Sequence, residues 1–122
     1  MFTLCVKDSF AAAHRLVGYK GQCEELHGHN FLVEAFFSGE TLGADGLLID
    51  FKILKDNLRQ VLALLDHKYL NEIPFFSEKA SSAEYIAMYI HGQMEKKIKT
   101  TGVSLKEVRV WESDKAYAAY ER

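Results

Sequence analysis

The alternation of apolar and polar residues predicts four strands, two near each end of the chain. Apolar side chains recur at roughly every second position over residues 2–13, and the pattern returns over residues 27–39 after a glycine-containing segment that is typical of a loop, 17–22. Both faces of the second strand are partly apolar, which favours a sheet covered on both sides. Residues 105–111 and 116–120 then flank a polar triplet and predict a terminal hairpin.

Two helices are predicted between these strand pairs. Residues 51–65 carry apolar side chains three and four positions apart, and Asp50 precedes them as a candidate N-cap. The second helix is expected to begin at Ser81, where Ser81 and Glu84 have the spacing of a capping box. The order ββααββ predicts an α+β fold, in which a four-stranded antiparallel sheet carries both helices on one face. We expect one domain over residues 1–122.

Composition narrows the functional classes. Of 122 residues, 48% are hydrophobic and 26% are charged, with a formal net charge of -2. These values are typical of a folded soluble protein and disfavour a nucleic-acid or membrane-surface partner. Cys5 lies in an apolar stretch and Cys23 in a polar one, so we expect no disulfide framework and a reducing, cytoplasmic setting. The first residues show neither a signal-peptide pattern nor a spanning helix.

Three histidines form the strongest chemical signal. His27 and His29 point to the same face if Gly28 is extended, and a hairpin of the first two strands could bring His14 beside them. Three imidazoles and one open position describe a catalytic zinc site, although surface histidines that bind nothing are the alternative. Cys23 could be a fourth ligand that closes the site, or a nucleophile or general base next to it.

Other polar residues are ambiguous when each is taken alone. The adjacent Asp66 and His67 suggest proton transfer, but a histidine at a helix end is favourable without any such role. Glu112, after an alternating apolar strand, could accept two hydrogen bonds from an amidine-like ligand edge or be a solvated charge. His91 is expected on a helix surface and Cys5 as strand filling.

Taken together, these residues resemble the 6-pyruvoyltetrahydropterin synthase family, including its bacterial branch, 6-carboxytetrahydropterin synthase. The resemblance covers nearly the whole chain, and its specificity comes from several separated motifs in the expected order. They are Phe10-Ala11-Ala12-Ala13-His14, Cys23-x3-His27-Gly28-His29, Asp50-Phe51-Lys52-x-Leu54-Lys55, Leu65-Asp66-His67-x-Tyr69-Leu70-Asn71, Ser82-Ala83-Glu84 and Trp111-Glu112-Ser113.

The resemblance implies a role for each matching residue. It implies Zn²⁺ held by three histidines, a proton-transfer triad and a glutamate that anchors the amino-pyrimidine edge of a pterin. Residues in two further motifs are expected to contact the substrate. The zinc ligands would be His14, His27 and His29, the triad Cys23, Asp66 and His67, the anchor Glu112, and the further contacts Phe51 and Ser82.

The resemblance also implies the tunnelling fold, in which subunits join their sheets into a β-barrel. The expected assembly is a homohexamer made of two trimers, with sites between subunits. The implied reaction converts 7,8-dihydroneopterin triphosphate to 6-carboxytetrahydropterin, releasing acetaldehyde and triphosphate, as an early step toward queuosine. Glu24 stands three residues before His27, a pattern typical of a branch that forms 6-hydroxymethyl-7,8-dihydropterin for folate synthesis, so a second activity is an alternative. A non-catalytic zinc- or pterin-binding module is another.

Overall fold

A computed structural model describes the backbone of residues 1–19, 22–23 and 25–122, and the side chains of 1–16 and 25–122. The described residues form seven strands, three α-helices and one 3₁₀ turn, which confirms the α+β class. The strands are β1 (Phe2–His14), β2 (Val17–Tyr19), β3 (Gln22–Cys23), β4 (His27–Gly39), β5 (Lys68–Tyr69), β6 (Ser104–Ser113) and β7 (Ala116–Glu121); the helices are α1 (Phe51–Leu62), α2 (Pro74–Glu78) and α3 (Ala83–Ile98), and the 3₁₀ turn is Leu70–Glu72.

The main sheet has five strands in the order β5-β1-β4-β6-β7. β1 and β4 pair antiparallel along their whole length, from Phe2 opposite Gly39 to His14 opposite His27. The prediction of four antiparallel strands is therefore inexact, because the short β5 joins the edge of β1 in parallel and makes the sheet mixed. A strand of two residues has no period that a sequence pattern could reveal.

The segment predicted as the loop 17–22 also contains strand structure, since β2 and β3 pair with each other as a separate two-stranded sheet. The predicted hairpin near the C-terminus is confirmed, with β6 and β7 paired antiparallel.

The predicted N-cap is confirmed for α1 but not for α3. Asp50 caps α1 as expected by accepting a hydrogen bond from the backbone N–H of Lys52 at 2.9 Å. In α3, however, the N-cap is Ser82, whose hydroxyl accepts from the N–H of Tyr85 at 3.2 Å. The predicted capping box with Ser81 is wrong, because Ser81 is buried and makes contacts elsewhere.

The spacing of apolar residues did not predict two further features of the helices. α1 ends at Leu62, three residues earlier than predicted, and the chain continues through turns in which Leu65 is still buried. The additional helix α2 is only five residues long and has Pro74 in its first turn, where a missing N–H costs nothing.

The core lies between the helices and one face of the sheet. Alternate residues of β1, β4 and β6 meet the apolar stripes of α1 and α3, and the rings of Phe10 and Phe31 stack at 5.0 Å within it. His91 belongs to this interior with no exposed surface, so its predicted place on a helix surface is wrong. The opposite face of the sheet keeps exposed apolar side chains, including Leu32 and Tyr117. None of the described helices is long and apolar enough to cross a membrane.

Candidate metal centre

The pairing of β1 with β4 brings three histidines together at one end of the sheet. His14 lies directly opposite His27, and His29 lies opposite Ala12. Because side chains alternate along a strand, all three rings project to the same face as the core. The ring centroids of His14 and His27 are 4.6 Å apart, as are those of His27 and His29, and those of His14 and His29 are 5.3 Å apart.

Backbone carbonyls orient two of the rings. His14 is 1% exposed, and its Nδ1 lies 2.6 Å from the carbonyl oxygen of Ser81. Nδ1 of His27 lies 2.8 Å from the carbonyl oxygen of Glu25. A carbonyl oxygen can only accept, so each Nδ1 must carry the hydrogen, and the lone pair of each neutral ring is on Nε2. This is the arrangement that metal-binding histidines ordinarily have.

Glu112 adds a carboxylate to the cluster from the end of β6. Its Oε1 lies 3.5 Å from Nε2 of His14 and 3.3 Å from Nε2 of His29. One donor atom from each of the four side chains lies within 4.8 Å of all the others. From the sequence, Glu112 was expected to hold a pterin edge or to be a solvated charge, because its place beside the histidines depends on the register between β4 and β6.

The donor set, of which only His14 is fully buried, fits a divalent transition metal. Nε2 of His14 is buried and has no hydrogen-bond partner among the described residues. Leaving such an atom unsatisfied costs roughly 1–3 kcal/mol, and a bound cation would use its lone pair directly. Three imidazole nitrogens are ligands that zinc and its neighbours in the first transition row accept, and they would leave a coordination position open beside Glu112.

Asp66 and His67 lie beside the edge of β1 at this end of the sheet. Asp66 accepts a hydrogen bond from the N–H of Ala11 at 2.9 Å, and its other oxygen lies 3.1 Å from Nδ1 of His67. The bond from Ala11 is the main cause that lowers the pKa of Asp66, with a further contribution from His67. The pair therefore consists of an ionised carboxylate held by the backbone and the imidazole of His67, whose side chain is 82% exposed.

His67 has a backbone conformation that non-glycine residues rarely adopt. Its φ is 58°, in the left-handed region, and its N–H donates to the carbonyl oxygen of Ala11 at 2.6 Å. Such a conformation costs about 1–3 kcal/mol and persists only where the surroundings enforce it. Here the two bonds to Ala11 enforce it and turn the imidazole outward.

An open cavity of about 530 Å³ is lined by one residue of each group, His29 and His67. Its volume lies within the range of small-molecule sites. Several of its other lining residues have small side chains. The lining residues are Ala11, Ala12, Ala13, Gly28, His29, Asn30, His67, Lys68 and Tyr69.

The structure does not bring the remaining predicted site residues into the described contacts of the site. Phe51 is 48% exposed at the first position of α1 and is not among the described residues that line this cavity. Ser82 uses its hydroxyl to cap α3. Cys23 and Glu24 were predicted to act beside the metal, and their side chains lie outside the described residues. Their roles stay predictions.

Comparisons with known proteins point to one family. The family profile described as 6-pyruvoyl tetrahydropterin synthase matches residues 3–122. A putative 6-carboxy-5,6,7,8-tetrahydropterin synthase from Archaeoglobus fulgidus is 34% identical over 117 residues, covering 96% of this chain and 93% of that protein. The human 6-pyruvoyl tetrahydrobiopterin synthase is 32% identical over 127 residues, covering 93% of this chain and 86% of that protein.

Solved structures lead to the same family. The 6-pyruvoyl tetrahydropterin synthase of Caenorhabditis elegans superposes with a TM-score of 0.86 at 26% identity, covering 99% of this chain and 95% of that chain. The Plasmodium vivax enzyme of the same name superposes with a TM-score of 0.80 at 30% identity, covering 99% and 97%. The chain therefore belongs to the 6-pyruvoyl tetrahydropterin synthase family and is a lyase of the tetrahydropterin synthase type.

Proposed function

We propose that this protein is a zinc-dependent 6-carboxytetrahydropterin synthase. It converts 7,8-dihydroneopterin triphosphate and one water to 6-carboxy-5,6,7,8-tetrahydropterin, acetaldehyde and triphosphate. The observation that carries the proposal is the convergence of three imidazoles and Glu112 beside a cavity that also meets His67. The Archaeoglobus relative, which bears the corresponding name, supports this choice of product.

The histidines would hold the metal and Glu112 would hold the substrate. His14, His27 and His29 each have a ring nitrogen within 4.8 Å of those of the other two. A zinc ion held there would supply Lewis-acid polarisation of the substrate's side-chain oxygens. The Glu112 side chain is 41% exposed beside them. Its carboxylate can therefore accept hydrogen bonds from the amino-pyrimidine edge and orient the pterin ring toward the histidines.

The Asp66–His67 pair would move protons at the substrate side chain. Asp66 is a carboxylate at neutral pH, where its lowered pKa only strengthens the ordinary preference of an aspartate, and its Oδ2 lies 3.1 Å from Nδ1 of His67. The opposite nitrogen, Nε2, is then available to take a proton from the substrate or return one. Cys23, as a thiolate, is proposed as the partner on the other side of the reacting carbon.

We further propose that the working assembly is a homohexamer of two trimers. Support comes from the exposure of His67, which is 82%, and from the edge strand β7, whose outer side has no neighbour in the described sheet. An edge of this kind can pair with another chain. Residues of a neighbouring chain would then complete the site beside the cavity that His29 and His67 line. Light scattering of the purified protein measures the mass, and a monomer would contradict the proposal.

Product analysis tests the proposed reaction. Incubation of the zinc-loaded protein with 7,8-dihydroneopterin triphosphate is expected to release acetaldehyde in equal amount to 6-carboxytetrahydropterin, detected by a coupled dehydrogenase and by chromatography. Replacing Cys23 with alanine is expected to remove acetaldehyde release while bound zinc is retained. If the wild-type protein forms neither product, the proposed reaction is wrong; if the Cys23→Ala variant keeps full turnover, only the role of Cys23 is wrong.

One sequence feature favours a second reaction, cleavage of a dihydroneopterin substrate to 6-hydroxymethyl-7,8-dihydropterin. Glu24 precedes His27 by three residues, and a Plasmodium vivax relative has been solved with its catalytic glutamate replaced by alanine. That relative is 29% identical to this chain. Chromatography of the same reaction mixture reports hydroxymethylpterin directly. Formation that is lost in a Glu24→Ala variant supports a dual activity, and its absence from the wild-type mixture rejects it.

A further inference from the structure

We propose that Asn71 and Ser81 are positioning residues for the metal centre, and that they act by fixing the backbone and ring of His14. This inference rests on the proposed function, because it takes His14 to be a metal ligand. Among the described residues, the hydrogen bonds of Asn71 and Ser81 run to Arg15, to His14 and to each other, and none of them reaches His27 or His29. Their effect is transmitted through Arg15 and through the backbone carbonyl that faces the His14 ring.

Asn71 fastens the chain immediately after His14. The N–H of Arg15 donates to Oδ1 of Asn71 at 3.0 Å, and Nδ2 of Asn71 donates to the carbonyl oxygen of Arg15 at 2.8 Å. A primary amide that exchanges two bonds with one residue reproduces the bonding of a neighbouring strand. The side chain of Asn71 thus extends the edge pairing that β5 makes with Ala12 and Ala13.

Ser81 links the same point to the imidazole. Its hydroxyl lies 3.1 Å from Oδ1 of Asn71 and 3.3 Å from the carbonyl oxygen of Arg15, either of which can accept its one hydrogen. Its own carbonyl oxygen lies 2.6 Å from Nδ1 of His14. Ser81 has no exposed surface, so water does not compete for these bonds.

The network decides which nitrogen of His14 faces the metal. The Ser81 carbonyl can only accept, so it holds the hydrogen on Nδ1 and leaves the lone pair on Nε2. Without Asn71 or the Ser81 hydroxyl, the carbonyl and the Arg15 backbone lose the bonds that hold them in register with the ring. Outer partners of metal-binding histidines contribute about 10–100-fold to metal affinity, and we expect a loss in that range here.

Zinc affinity of the metal-free protein tests this inference. Zn²⁺ would be titrated in competition with a chromogenic chelator at a pH of about 8, where histidines of ordinary pKa are neutral. Asn71→Ala and Ser81→Ala are each expected to weaken zinc binding by about 10–100-fold. Ser77→Ala is the matched control, because the Ser77 hydroxyl also donates to a backbone carbonyl, that of Pro74 at 2.9 Å, but within α2. It is expected to bind zinc as the wild-type protein does.

A second measurement separates positioning from general stability. In ¹⁵N-histidine NMR spectra of the metal-free wild-type protein, His14 is expected as the tautomer with hydrogen on Nδ1, and in Asn71→Ala as a mixture of tautomers. This wild-type reading needs no variant to fold, so it can overturn the inference even if Asn71→Ala is insoluble. A wild-type His14 with hydrogen on Nε2 overturns the inference.

The possible failures can be told apart. If the wild-type protein does not bind zinc, the proposed function fails, and this inference fails with it. If the wild-type protein binds zinc and a folded Asn71→Ala or Ser81→Ala variant binds it equally well, the positioning role alone is wrong.

Discussion

His91 allows a sharp test of the interior, because the fold buries a titratable ring there. Neither ring nitrogen has a hydrogen-bond partner among the described residues. Glu95 Oε1 lies 3.3 Å from Nδ1 without hydrogen-bonding geometry and is itself paired with Arg122 at 3.0 Å, while the ring of Tyr120 packs edge-on at 5.1 Å. Burial lowers the pKa of His91 below its ordinary 6.5, and the charge of Glu95 only partly opposes this. We predict that His91→Phe makes the protein less sensitive to acid.

The sign and size follow from the lowered pKa. In the folded protein His91 stays neutral, whereas in the unfolded chain it takes up a proton below a pH of about 6.5. The contribution of His91 is therefore fully present above that pH and is lost as the pH falls toward the lower pKa of the folded state. Between pH 7.5 and pH 5.5 the wild-type protein should lose up to about 1.4 kcal/mol of unfolding free energy through this residue. Phenylalanine, which does not titrate, should lose none.

Urea unfolding followed by circular dichroism measures the effect. Wild-type and His91→Phe proteins would be compared at both pH values in the presence of a chelator, so that metal binding does not contribute. The other four histidines are common to both proteins, and the difference between the two pH dependences isolates His91. Equal losses of unfolding free energy in the two proteins would refute the assignment of His91 as a neutral buried ring.

Three other predictions concern the site and its support. His29→Ala should weaken zinc binding by more than the about 10–100-fold expected for loss of an outer partner, measured by chelator competition, since it removes a donor itself. Phe31→Ala should lower the free energy of unfolding by about 3–5 kcal/mol in urea, because the ring is fully buried beneath the histidines; a loss below about 1 kcal/mol would contradict the packing described. Asp66→Asn should lower kcat by about 10²–10⁴-fold. The variant should also lose less free energy of unfolding on acidification than the wild type. Because folding lowers the pKa of Asp66, its stabilising contribution is present above a pH of 3.8 and disappears as the pH falls through the pKa of the folded state. A kcat and an acid unfolding profile both equal to those of the wild type would argue against its role.

Local patterns were sufficient for the long elements and for the choice of candidate ligands. β1, β4, α1 and α3 were predictable because each repeats its apolar residues with the period of its own backbone over ten or more residues. The spacing of His27 and His29 placed both on one face for the same reason. The motifs shared with the family then connected these elements with a pterin enzyme.

Only the tertiary structure decided where isolated polar residues ended up. Glu112 lies beside the histidines because of the register of β6 on β4. Ser81 was expected to cap α3, but its carbonyl faces His14. His91 was expected on the surface, but it lies in the core. β5 exists because Asp66 and its neighbour bind the edge of β1. Each of these outcomes depends on contacts between residues far apart in the chain, which packing and register determine and which no local period encodes.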